Sequence, residues 1–172
     1  MLKLHKVTEN VVWDHWKMVE GFHESDFRSD IRDPLPMNIE WFLVRIEHSD
    51  IQKLYVISSD DWGELSRTNY LVESVAKNIN IINSPNKDTL RIQSDIIEKI
   101  KLLKSGATLD TKLILVTDDY DGLFTIIEGN RRAVAFLLTN QLVGIEVYLG
   151  ITKDISKYHW SRYTYKNSQI DL

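Results

Sequence analysis

"GLFTIIEGNRRAVAFLLTN", residues 122–140, is the stretch whose reading decides the fold. Residues 124–127 form a β-branched and aromatic run, Gly129 is a turn residue, Asn130 is a good helix N-cap, and residues 133–138 are an apolar helix-forming segment. The order is strand, turn, helix. Unpaired N–H groups give a helix N-terminus partial positive charge, so Arg131 and Arg132 in the first turn each oppose the macrodipole by roughly a few tenths of a kcal/mol. A negatively charged group is the natural counterpart of such a cluster.

Just upstream, "KLILV" at 112–116 is a short strand of buried type and "TDDYDG" is a turn. With "LFTII" they predict a β-hairpin that runs directly into the helix. Downstream, "VGIEVYL" at 143–149 alternates Val143, Ile145, Val147 and Leu149 onto one face, as a final strand does. Before the hairpin, a helix beginning near Asp88 or Thr89 presents Ile92, Ile96, Ile100 and Leu103 on one side and stops at Gly106. "LSRTNYLVESVAKNINI" at 65–81 places Leu71, Val75 and Ile79 on one stripe of another helix. "WFLVRIEH" and "QKLYVIS", separated by Ser49, Asp50 and Ile51, read as a further hairpin. Residues 24–38 carry acids and two prolines with no period and read as a loop. Residues 8–22 put Val12, Trp16 and Val19 on one helical stripe behind a Thr8 cap. The predicted order is α, β, β, α, α, β, β, α, β. It belongs to the α/β (α+β) class, a small mixed sheet packed by helices with an N-terminal helix and hairpin extension, in a single domain over 1–172.

Composition sets limits on function. At 172 residues, 43% hydrophobic and 27% charged, the chain can bury one substantial core. It has no cysteine, which removes disulfides, thiolate catalysis and Cys-ligated zinc. Charges interrupt the apolar positions of the first sixteen residues, and no segment has the length to span a bilayer, so a cytoplasmic protein without membrane contact is expected. A net charge of −4 opposes whole-surface affinity for nucleic acid and confines any anion site to a local patch. Nothing in the sequence sets the oligomeric state.

Glu128-Gly129-Asn130-Arg131-Arg132, an acid-Gly-x-x-Arg turn between strand and helix, resembles the core of the ParB and sulfiredoxin superfamily over residues 89–149. In ParB proteins the corresponding turn reads Gly-Glu-Arg-Arg and helps hold nucleotide phosphates. In sulfiredoxin it reads Gly-Cys-His-Arg, and in related free-serine kinases Asp-Gly-His-His-Arg. The resemblance implies a phosphate cradle in which Gly129, Asn130, Arg131 and Arg132 bind phosphate and Glu128 is the candidate catalytic residue. It implies ATP or CTP as ligand, magnesium as accompanying ion, and phosphoryl transfer or nucleotide hydrolysis as chemistry. Asn130 stands where sulfiredoxin has its catalytic cysteine, which removes that activity, and where ParB has glutamate. The chain runs about twenty residues past the last strand, so the helix-turn-helix of a partition ParB is not expected. The competing class is a non-catalytic regulatory or interaction module, DNA- or defence-associated, and Asn130 favours it.

Each candidate has a plainer reading beside the functional one. Arg131 and Arg132 either hold an anion or form surface ion pairs with Glu128 or Glu146. Glu128 acts as a base, holds a metal near a phosphate, or orients an arginine. Tyr158 and Trp160, in the cation-aromatic stretch "KYHWSRYTYK", either stack on a base or pack with Tyr163 against the core. Asp118, Asp119 and Asp121 lack calcium-loop spacing and read as a solvated hairpin turn. His15, His23, Glu20 and Glu24 lack metal spacing and read as a surface charge face. Trp13 and Trp16 read as packing. With an anion site at the helix start, Arg132→Ala is expected to weaken binding while leaving unliganded stability unchanged or higher.

Overall fold

The hairpin that leads into residues 128–132 lies inside the sheet, with strands on both sides of it. A computed structural model describes residues 1–20 and 35–161. Strands β1 (Leu2–Val7), β2 (Glu40–Arg45), β3 (Leu54–Tyr55), β4 (Ile114–Thr117), β5 (Phe124–Glu128) and β6 (Glu146–Ile151) form one sheet in the order β1-β2-β6-β4-β5-β3. All four residues of β4 are buried, as a central strand covered on both faces requires. β4 and β5 pair antiparallel with Ile114 opposite Glu128 and Val116 opposite Thr125, so the predicted hairpin is present. β6 runs parallel to β4 and antiparallel to β2. The result is a mixed α/β fold with a six-stranded mixed sheet packed by helices.

The helices are α1 (Glu9–Glu20), α2 (Asp60–Ser66), α3 (Val72–Asn78), α4 (Lys87–Lys104) and α5 (Asn130–Leu138). α1 buries Val12, Trp13 and Trp16. The Trp13 ring meets Trp41 edge-on at 5.4 Å, and His15 meets Tyr148 at 5.5 Å, so α1 covers the face that carries these two strand residues. α4 starts where the sequence places it: Asn86 caps it by accepting the Asp88 N–H at 2.9 Å, and Ile92, Ile96 and Leu103 are buried. α5 packs against α4 and α3.

Several expectations are corrected; the final strand, expected from Val143, is Glu146–Ile151, and Val143 is 49% exposed ahead of it. Residues 40–55 are not a hairpin. A 3-10 helix, His48–Lys53, separates β2 from β3, and the two strands lie on opposite sides of the sheet, β3 pairing parallel with β5. Within the 3-10 helix Asp50 is 2% exposed and accepts the Glu47 N–H and the Met1 ammonium, each at 2.8 Å. The helix expected over 65–81 is two helices. Arg67, Thr68 and Tyr70 take positive φ between them, Ser66 Oγ accepts the Tyr70 N–H at 3.0 Å, and Leu71 is the cap of α3. Leu2–Val7 forms an edge strand that the sequence reading left without structure. Its charged, mostly exposed side chains are what a protected sheet edge carries. The loop expected at 24–38 lies mainly outside the described residues, as do Phe22, His23, Glu24 and Tyr163.

Candidate functional site

Gly129 turns the chain from β5 into α5. Its φ of +91° and ψ of 17° lie in the left-handed region, which a residue without Cβ reaches freely. A Cβ there would come within 2.5 Å of Leu113 Cδ2 and 3.2 Å of Arg132 Nη2, so the glycine also admits a close approach. Gly129 thus occupies the cap position expected of Asn130. Asn130 is the first helical residue, 9% exposed, and its Oδ1 accepts the Ile57 N–H at 3.0 Å. That bond ties the segment after β3 to the start of α5 and uses the acceptor Asn130 would otherwise offer a ligand. The first intrahelical bond runs from the Ala133 N–H to Gly129 O at 2.9 Å, leaving the N–H groups of residues 130–132 at the open end of the helix.

The two arginines have different settings. Arg132 is 8% exposed; its Nη1 donates to Asp110 Oδ2 at 2.6 Å and to Asp110 O at 2.9 Å, and its Nη2 donates to Glu128 Oε1 at 3.0 Å. Of the readings for Glu128, orienting an arginine is therefore the contact present. Asp110 was not singled out from the sequence, because an acid in the loop after α4 has no local signal that it returns to an arginine 22 residues later. His15 Nε2 lies 3.0 Å from the same Asp110 Oδ2. Its side chain is 10% exposed, which overturns its placement on a surface charge face. Burial pushes the Asp110 carboxyl up, but the Arg132 hydrogen bond, the Lys112 N–H and the charges of Arg132 and His15 more than offset it. The net result lies below the ordinary carboxylate value.

Arg131 points the other way. Its Nη1 is 2.7 Å from Asp95 Oδ2 of α4, with 38% and 32% of the two side chains exposed, so the pair is accessible to solvent. Glu146, the other expected partner, pairs instead with Arg45 at 3.2 Å and Lys112 at 3.5 Å.

A cleft of about 490 Å³ opens at this turn. Glu128, Gly129, Asn130, Arg131 and Arg132 form one wall, and Arg91 and Lys99 of α4 bring two further cations. Trp62, Trp160, Ser59 and Asp61 complete its rim. Arg91 makes an exposed 3.6 Å pair with Asp88, and Lys99 has no ion-pair partner among the described residues. Arg91 and Lys99 are absent from the sequence-based candidates because their helical spacing alone does not show which turn they face.

The aromatic pair separates. Tyr158 is fully buried and burial pushes its phenol far above the ordinary value, so it is a core residue and not a stacking platform. Trp160 is partly buried, lines the cleft, and accepts the Ser58 N–H on its backbone oxygen at 2.8 Å. Asp118, Asp119 and Asp121 lie in the β4–β5 turn, where Asp119 accepts the Asp121 N–H and pairs with Lys153 at 3.3 Å. No group of three or more His, Asp or Glu that could hold a metal is present among the described residues. No helix of the described residues is long and apolar enough to cross a membrane.

Comparisons with protein-family models, curated proteins and solved structures find no match for this chain.

Proposed function

We propose that this chain is a ParB/sulfiredoxin-like module that binds a phosphate-bearing small molecule, best a nucleotide such as ATP or CTP, in the cleft at the β5–α5 turn. The observation that carries this reading is the convergence of Arg91, Lys99 and Arg131 with the N-terminus of α5 in one cleft of about 490 Å³. In this reading a base would stack on Trp160, the partly exposed ring that lines the cleft. In this reading Arg131 and Lys99 meet the phosphates. Arg132, held by Asp110 and Glu128, contributes a fixed charge behind them and is not a free clamp.

Binding without chemistry is the second half of the proposal. Asn130 occupies the position where the resembled enzymes carry a reactive side chain, and here its amide oxygen is committed to Ile57. That favours a regulatory or interaction module over a phosphoryl-transfer enzyme. Magnesium, when present, belongs with the phosphates of the ligand and not with a cluster of protein carboxylates.

Titration calorimetry with ATP and CTP, with and without magnesium, followed by analysis of the nucleotide after prolonged incubation, tests both halves. Saturable binding with intact nucleotide supports the reading. Release of phosphate by the wild type that is lost in Lys99→Ala would refute the non-catalytic half, and absence of binding would refute the whole.

A further inference from the structure

His15 and Arg132 meet on one carboxylate oxygen. Arg132 Nη1 donates to Asp110 Oδ2 at 2.6 Å, and His15 Nε2 lies 3.0 Å from the same atom. On its other side Arg132 reaches Glu128 Oε1 at 3.0 Å, and both Arg132 and Glu128 line the cleft. A line of four ionisable side chains therefore runs from α1, through Asp110, to the wall of the cleft. Resting on the anion-site reading above, we propose that His15 is a pH-sensitive control on this site: its protonation draws Asp110 away from Arg132 and raises the affinity of the cleft for anions.

The charge balance supplies the direction. Beside an ionised Asp110, a neutral imidazole placed at this distance donates Nε2–H, and the carboxylate charge answers Arg132 alone. An imidazolium makes a stronger, charge-assisted bond to the same oxygen and divides one negative charge between two cations. The region behind the cleft then gains one positive charge, and the hold of Asp110 on Arg132 weakens. Imidazole is the side chain whose ordinary ionisation falls between about pH 5 and 8.

The other groups around His15 do not cancel this. Tyr148 of β6 faces the ring at 5.5 Å, and burial together with the Asp110 charge pushes its phenol up, so it stays neutral throughout. Lys112, whose Nζ is 5.8 Å from the Tyr148 ring, pairs with Glu146. Asp14 and Lys17, its charged neighbours on α1, are exposed. Asp110 is held ionised by Arg132 and so remains the shared partner down to acid pH.

Sulfate is the probe, because it stays dianionic over the whole interval and its own protonation cannot mimic the effect. Its affinity, followed through the amide signals of Asn130 and Arg131, is expected to rise by about threefold or more from about pH 8 to about pH 5.5 in the wild type. His15→Gln, which keeps a neutral hydrogen-bond donor for Asp110, is expected to lose that rise. Without ligand, the His15 ring signals should titrate at higher pH in Arg132→Gln than in the wild type, because the competitor for Asp110 is gone. Sulfate binding with the same pH dependence in wild type and His15→Gln overturns the control and leaves the anion site standing, as does a His15 titration that ignores Arg132→Gln. No sulfate binding at any pH refutes the site itself and, with it, its control.

Discussion

Arg132→Ala sets two effects against each other. The guanidinium sits near the positive end of α5, so its removal relieves about 0.3–1 kcal/mol of unfavourable helix-end interaction. It also carries the hydrogen bonds to Asp110 Oδ2 at 2.6 Å, Asp110 O at 2.9 Å and Glu128 Oε1 at 3.0 Å, and its removal leaves two carboxylates facing each other. Breaking a buried ion pair by deleting one partner costs about 3–5 kcal/mol. Glu128 is 15% exposed and Asp110 31%, so water reaches the second acid and the cost falls to about 2–4 kcal/mol. The loss outweighs the relief, and the net destabilisation is about 1–3.5 kcal/mol. The structure thus reverses the expectation, drawn from the helix end alone, that unliganded stability would hold or rise. Urea unfolding followed by tryptophan fluorescence measures it: with a slope of about 2 kcal/mol per molar, the midpoint should fall by about 0.5–1.8 M. Arg132→Lys, which keeps the charge and loses the fork, should fall between the two. An unchanged or higher midpoint in Arg132→Ala would refute the claim that Arg132 holds the site together.

Three further outcomes follow from the same geometry. Asn130→Ala strands the Ile57 N–H behind α5 and should cost about 1–3 kcal/mol in urea unfolding, whereas Asn130→Asp, which keeps an acceptor, should recover part of the loss. Gly129→Ala must hold a φ of +91° and fit a Cβ within 2.5 Å of Leu113 Cδ2, so its thermal midpoint should drop by about 4–10 °C, read by circular dichroism. Asp110 ionises below its ordinary value of 3.8 in the folded state, so its contribution is complete above that value and is lost as pH falls through the lower folded value. The acid arm of the stability profile below about pH 4 should therefore be flatter in Asp110→Asn than in the wild type.

The parts of the fold legible in the sequence are those where one local signal decides. β4, β5 and α5 carry largely apolar runs around Gly129, and α4 has Asn86 before four isoleucine and leucine positions on one face. The pairing of β2 with β6, and the place of β3 at the far edge, rest on partners such as Trp41 with Gly150 and Leu54 with Phe124, which no sequence window contains. β1 goes unread as a strand because an edge strand needs few apolar side chains. At the site, the turn and both arginines were visible, but their difference was not. Arg131 and Arg132 are adjacent on a helix, so one faces Asp95 on α4 and the other turns inward to Asp110, a choice made by tertiary packing alone. His15 joins that network from α1, 95 residues away from Asp110.

Amide and indole chemical-shift mapping during an ATP titration of the isotope-labelled protein tests the central claim most directly. The account predicts saturable shifts concentrated at the amides of Gly129, Asn130, Arg131 and Arg132 and at the Trp160 indole, weakened by at least about tenfold in Arg131→Ala/Lys99→Ala. Shifts that are absent, that never saturate, or that gather at the basic edge strand around Lys3 and Lys6 instead of the cleft would contradict it.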